Sequence, residues 1–157
     1  SMIFKKKQFD KQLAPVVKEI KLKKDYKFMY ENFVFSTQND LYLLLEEKDG
    51  QIEALKFPFA IFKYGYPNDE IGHPLMKYGL GFYGLFETQN SPWIQEILDL
   101  KRQHPSHKDE YYTNRRHFIA RFKDVTLEVI ANSFEEFMFS KTDLMDLFSS
   151  EINNLKE

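Results

Sequence analysis

The sequence predicts an α+β fold: a twisted, mainly antiparallel sheet with room for partial, barrel-like closure, one helix after Ser91 and another at the C-terminal end. Three observations point there. Aromatic residues make up 17% of the chain, with 16 Phe and 9 Tyr, and such side chains favour the half-buried surface of a strand. Arg115 to Phe122 and Val125 to Ala131 alternate apolar and polar residues on either side of a tight turn at Lys123-Asp124, which is a hairpin pattern. Ser91-Pro92 stands before Trp93, Ile94, Ile97 and Leu98, an N-cap and a first-turn proline ahead of an amphipathic stripe.

Taken in order, the elements fit one domain of 157 residues. Residues 1–24 form a basic arm, with eight lysines against Asp10 and Glu19. Its apolar residues and the break at Pro15 predict a short helix or arm followed by a strand. Phe28 to Phe35 and Leu41 to Glu47 read as strands joined by the polar turn Ser36 to Asp40. Lys48-Asp49-Gly50 then turns into a long strand from Ile52 to about Lys63, with Phe57, Phe59 and Ile61 on one face. Pro58 lacks a backbone donor, so this strand should lie at an edge or bulge there. Tyr64 to Glu70 leads into a long loop with Gly72, His73 and Pro74, and loops of that length are functional or mobile.

Leu80 to Thr88 reads as a strand in which Gly79, Gly81 and Gly84 allow a ring or a ligand to approach the backbone. The helix after Ser91 should stop near Gln103, before Pro105. A polar link from Ser106 to Asn114 follows. The next hairpin sets Phe122 against Val125, Ala120 against Leu127 and Phe118 against Val129, a coherent apolar face. Ser133-Phe134-Glu135-Glu136 has the form of a capping box, which predicts a helix that restarts at Thr142 ahead of Leu144, Leu147, Phe148, Ile152 and Leu155.

Composition removes several function classes. The chain has no cysteine, so disulfides, thiolate metal sites and a cysteine nucleophile are excluded. No apolar run reaches eighteen residues, and no apolar segment follows Lys5-Lys6-Lys7. A protein outside the membrane, with a cytoplasmic location, is the expectation. A net charge of −2 argues against a dedicated nucleic-acid binder. No GxSxG elbow and no GxxxxGK phosphate loop is present.

The hairpin register also places His117, Ile119 and Arg121 opposite Ile130, Glu128 and Thr126 on the face away from the apolar triplet. Glu128 is diagonal to His117 and Arg121, within reach of long side chains. His117, Glu128 and Arg121 are therefore candidate acid/base or anion-binding residues; the plainer alternative is a cross-strand salt bridge on a solvated face. Glu87, Asn90, Ser91 and Trp93 surround a helix N-terminus, where free amides favour an anion, although Trp93 is also a natural core anchor. His104-Pro105-Ser106-His107, with Asp109 and Glu110, has a loose metal-ligand spacing that His73 could complete. Two histidines three apart beyond a helix end lack the one-face geometry of a helical metal motif, and His104 can instead meet the helix's terminal carbonyls. No metal and no cofactor is expected.

The motifs Gly72-His73-Pro74-Leu75, Gly79 to Gly84, Asn90-Ser91-Pro92-Trp93-Ile94, His104-Pro105-Ser106-His107 and Arg116-His117-Phe118 through Asp124, Thr126 and Glu128 together resemble a family of uncharacterised bacterial proteins. The resemblance spans roughly residues 67 to 132 and implies a bacterial origin and a single intracellular domain, with no activity to carry over. Members of that family carry a cysteine where this chain has Val129. Three functions follow as expectations. The first is a binding or interaction domain for a small molecule or a protein partner, with a pocket lined by Tyr83, Trp93, His117 and Glu128. The second is an enzyme in which His117 and Glu128 transfer protons, Arg121 or Arg116 holds an anion, and His73 or His104 assists. The third is a toxin-neutralising protein whose acidic C-terminal helix meets a basic partner.

Overall fold

The computed structural model describes residues 13–29, 31–66, 72–105 and 114–156; the basic residues 1–12 and the 106–113 link lie outside them. The fold is α+β, as the sequence predicts, with nine strands in two antiparallel sheets and two helices among the described residues. The strands are β1 (Val16–Glu19), β2 (Phe33–Ser36), β3 (Asp40–Lys48), β4 (Gln51–Pro58), β5 (Ile61–Gly65), β6 (Gly84–Gln89), β7 (Arg116–Arg121), β8 (Thr126–Ala131) and β9 (Glu135–Ser140). Helix α1 covers Pro92–Lys101 and α2 covers Lys141–Asn153. The first sheet runs β1-β6-β7-β8-β5 and the second β2-β3-β4-β9. Neither sheet closes into a barrel.

Two sheets form because the long strand expected from Ile52 to Lys63 is cut after Pro58. Phe59 takes a left-handed φ of 47°, its N–H donates to the Asn39 carbonyl at 2.7 Å, and the chain leaves β4 in one sheet to become β5 in the other. This corrects two expectations. Phe57 is fully buried whereas Phe59 is 64% exposed, so they do not share a face. Pro58 ends an interior strand, paired with Asp40 beyond the last β9 pair, instead of marking a sheet edge.

The inner faces of the sheets meet in one apolar core. Phe118, Ala120, Leu127, Val129 and Leu85 come from the first sheet, and Leu41, Leu43, Leu55 and Phe57 from the second. The Phe57 and Phe118 rings lie 5.8 Å apart. Each fully buried side chain of this size stabilises by roughly 1.5–3 kcal/mol. The hairpin of β7 and β8 has the register derived above, pair for pair, from Arg121 against Thr126 to Phe118 against Val129 and His117 against Ile130. The Asp49-Gly50 turn, both residues at positive φ, closes β3 onto β4 as expected.

Ser133-Phe134-Glu135-Glu136 does not cap a helix. Glu135 to Ser140 is β9, which pairs with β4 and places Phe137 and Phe139 against Phe35 and Tyr42. The local cap signal loses to a sheet edge that needs backbone partners and to two alternating aromatics that need burial. The helix starts one residue before the expected restart, capped by Ser140, whose Oγ accepts the Asp143 N–H at 3.0 Å. It lays Leu144, Leu147 and Phe148 on the outer face of the second sheet.

The outer face of the first sheet is covered by α1 and by the segment from His73 to Leu80. Leu75 and Leu80 pack there with Val17, Phe86 and Ile119, and a single 3₁₀ turn at Met76–Tyr78 shapes the segment. Two glycines at its C-terminal end, Gly79 within it and Gly81 just after it, are required by close approach. A Cβ on Gly81 would fall 2.8 Å from the Phe86 ring, so a neighbouring ring is what this glycine accommodates. A Cβ on Gly79, at φ 113°, would fall 2.6 Å from the Val17 carbonyl oxygen. Gly79→Ala is therefore expected to destabilise the fold by about 2–4 kcal/mol, combining backbone strain with an overpacked contact, as a lowered midpoint in denaturant unfolding.

Candidate functional site

The covered outer face of the first sheet carries a row of polar side chains. Alternation along β7 and β8 sends Phe118, Ala120, Leu127 and Val129 inward, so His117 and Glu128 point outward beneath α1 and the 73–80 segment. His117 is 1% exposed and Glu128 is partly buried. His117 Nε2 lies 2.8 Å from Glu128 Oε1. The second carboxylate oxygen, Oε2, lies 3.1 Å from His73 Nε2. One carboxylate thus bridges two imidazoles that come from a strand and from the covering segment.

An amide that only donates, beside His73, and a carboxylate that only accepts, beside His117, fix where the protons sit. The Leu75 N–H donates to His73 Nδ1 at 3.0 Å; since an amide only donates, that nitrogen accepts, and the His73 proton is on Nε2, facing Glu128. His117 Nδ1 lies 2.7 Å from Ser91 Oγ, which also accepts the Ile94 N–H at 3.1 Å as the N-cap of α1. With Nε2–H donated to the carboxylate, Nδ1 takes the hydroxyl proton of Ser91. The chain of bonds begins at the Ile94 amide and ends at the Leu75 amide, and Glu128 is the acceptor in its middle.

Burial would push the Glu128 carboxyl up, but the hydrogen bonds from His117 and then His73 outweigh it and hold the group well below the usual carboxylate range. Lys63, its cross-strand neighbour on β5, sets its ammonium 4.1 Å from the centre of the Trp93 ring. Trp93 in turn meets the His117 ring edge-on at 5.4 Å. Asn90, at φ 55°, makes the sharp turn from β6 into α1 that brings Ser91 over β7; asparagine tolerates this conformation better than most residues.

Of the residues singled out in the sequence, His117, Glu128, His73 and Trp93 are brought together. Arg121 shares their sheet face, is buried, and donates to the Gly81 carbonyl at 3.1 Å. Arg116 lies on the opposite face and forms a two-pronged ion pair with Glu87, both bonds 2.7 Å. Tyr83 lines a separate cavity of about 400 Å³ with Glu19, Leu22 and Tyr26. His104 follows the end of α1, exposed, with its N–H on the Lys101 carbonyl. His107, Asp109 and Glu110 lie outside the described residues. Among the described residues no group of three or more His, Cys, Asp or Glu could hold a metal ion. The bond between Ser91 and His117 was not readable in the sequence, because it needs the pairing of β6 with β7, which sets Thr88 beside His117.

No family model, curated protein or solved structure matches this chain.

The lowered carboxyl of Glu128 sets a pH dependence. Its contribution is complete above the unfolded-state value of about 4.3 and is lost as pH falls through the lower folded-state value. Glu128→Gln should cost roughly 2–3 kcal/mol at neutral pH, the scale of hydrogen bonds to a charged group. The gap between variant and native Tm should narrow as pH drops below about 4, in a thermal unfolding series from pH 7 to pH 2.5.

Proposed function

We propose that the protein is a small enzyme in which His117 is a general base and acid and Glu128 orients it. The observation that supports this is the bridging carboxylate: Glu128 holds one nitrogen of His117 at 2.8 Å and leaves the other 2.7 Å from a hydroxyl. Proton transfer by a positioned imidazole needs a fixed tautomer, an acceptor for the second proton and a reacting group in hydrogen-bond range. His73 completes the carboxylate's coordination, so His117 can gain and lose a proton without leaving Glu128 unpartnered. The bacterial origin and cytoplasmic location expected from the sequence go with this reading.

A second reading, a small-molecule binding domain, is favoured by a different observation. The stretch after β1 is tied to the second sheet by Lys24, whose ammonium lies 3.1 and 3.0 Å from the Glu46 and Glu53 carboxylates. Beside it opens a cavity of about 600 Å³ lined in part by Tyr26, Phe28, Met29, Leu45 and Phe122. That volume is in the range of small-ligand sites.

Turnover separates the two readings. Purified protein is to be assayed on aryl esters, aryl phosphates and enolisable ketones, beside His117→Asn and Glu128→Gln variants whose folding is checked by circular dichroism. The enzyme reading expects one class to be turned over and both variants to lose at least about 100-fold in rate. Native protein no faster than the folded variants on every class would contradict it and leave the binding reading.

A further inference from the structure

We infer that Ser91 is a nucleophile and that the reaction is acyl transfer from a carboxylic ester to water through an ester on Ser91 Oγ. This rests on the acid–base reading above and names its substrate class.

The group that His117 Nδ1 faces is Ser91 Oγ at 2.7 Å, with Glu128 behind the ring at 2.8 Å. A hydroxyl, an imidazole and a carboxylate in that order are the parts of nucleophilic activation. The Ile94 N–H on Oγ at 3.1 Å adds a donor that steadies negative charge as it builds on the oxygen.

A second, independent observation lies beside His117. Thr88 is 4% exposed and pairs directly with His117 across β6 and β7, which puts both side chains on one face. Its Oγ1 is buried and has no hydrogen-bond partner among the described residues. A buried hydroxyl left unpaired costs about 1–3 kcal/mol. A substrate carbonyl oxygen would satisfy it, and the bond would strengthen as that oxygen becomes an anion.

The steps balance. Ser91 Oγ bonds to the ester carbonyl carbon while its proton moves to His117 Nδ1, and Glu128 holds the imidazolium at Nε2. The tetrahedral adduct collapses, the C–O bond to the alcohol breaks, and the alcohol oxygen takes the proton from Nδ1. Water then attacks the Ser91 ester with His117 as base, releasing the acid and restoring the serine. Burial is the cost of this arrangement: Ser91 is 7% exposed and His117 1%, so the ester enters by displacing the cover of Trp93 and Lys63.

A helix cap alone would also place a serine here, and the test is built to separate the two roles. Native protein is treated with an alkyl fluorophosphonate, then measured by intact mass and peptide mapping. A single adduct on Ser91 is expected. Ser91→Asn, which caps a helix about as well as serine, should fold and stay unlabelled. His117→Asn should label at least about 100-fold more slowly. Thr88→Val, which removes the unpaired hydroxyl at nearly constant shape, should slow labelling about 100-fold while the unfolding midpoint holds or rises. Absence of a Ser91 adduct on the native protein, or His117→Asn labelling at the native rate, overturns the inference. Peptide mapping of the native protein does not depend on any variant folding. If Ser91→Asn keeps a turnover that His117→Asn and Glu128→Gln lose, the nucleophile fails and the acid–base reading stands; if neither turnover nor adduct is found, both fail.

Discussion

A carboxylate under cover must be compensated, and the outer face of the first sheet is organised around that requirement at Glu128. Taking an ionised carboxylate out of water costs several kcal/mol unless its oxygens find donors. Here each oxygen has one, His117 at 2.8 Å and His73 at 3.1 Å. Those two histidines arrive by different routes, one along β7 and one in the segment that covers the sheet. The ion therefore ties the cover to the sheet at a set position, while Leu75 and Leu80 supply the apolar contact around it. Neither part suffices alone: without the apolar contacts the segment has no seat, and without the histidines the carboxylate loses both of its hydrogen-bond donors among the described residues.

The same constraint extends to α1. Ser91 serves both as the helix cap and as the hydroxyl partner of His117, so the start of the helix is fixed relative to β7 by a side-chain bond as well as by packing. Trp93, in the first turn of the helix, lies against His117 and under Lys63. The helix amide at one end, the carboxylate in the middle and the Leu75 amide at the other give every ring nitrogen a defined role. A chain of bonds with both ends anchored in backbone is the preorganisation that proton transfer uses.

What the sequence could reveal depended on range. The β7–β8 hairpin was legible because a tight turn and strict alternation determine its register, and that register placed His117 and Glu128 together on one face. Ser91 as a cap was legible from the Ser-Pro pair. His73 reaching Glu128, and Ser91 reaching His117, were not, since both depend on contacts between segments far apart in the chain that no local pattern encodes. Local signals also misled where tertiary demand was stronger. Glu135 and Glu136 look like helix-start residues, yet Phe137 and Phe139 are needed against Phe35 and Tyr42 and draw the segment into β9. The alternation from Ile52 to Lys63 read as one strand, but the left-handed turn at Phe59 moves the chain between sheets.

The most direct test of the bridging carboxylate is a long-range proton–nitrogen NMR spectrum of the histidine side chains at pH 8, recorded on native protein and on Glu128→Gln. The account predicts that His73 and His117 each carry their ring proton on Nε2, and that substituting Glu128 shifts both sets of ring signals together. A proton on Nδ1 of either histidine, or a substitution that moves one ring and leaves the other untouched, would contradict it.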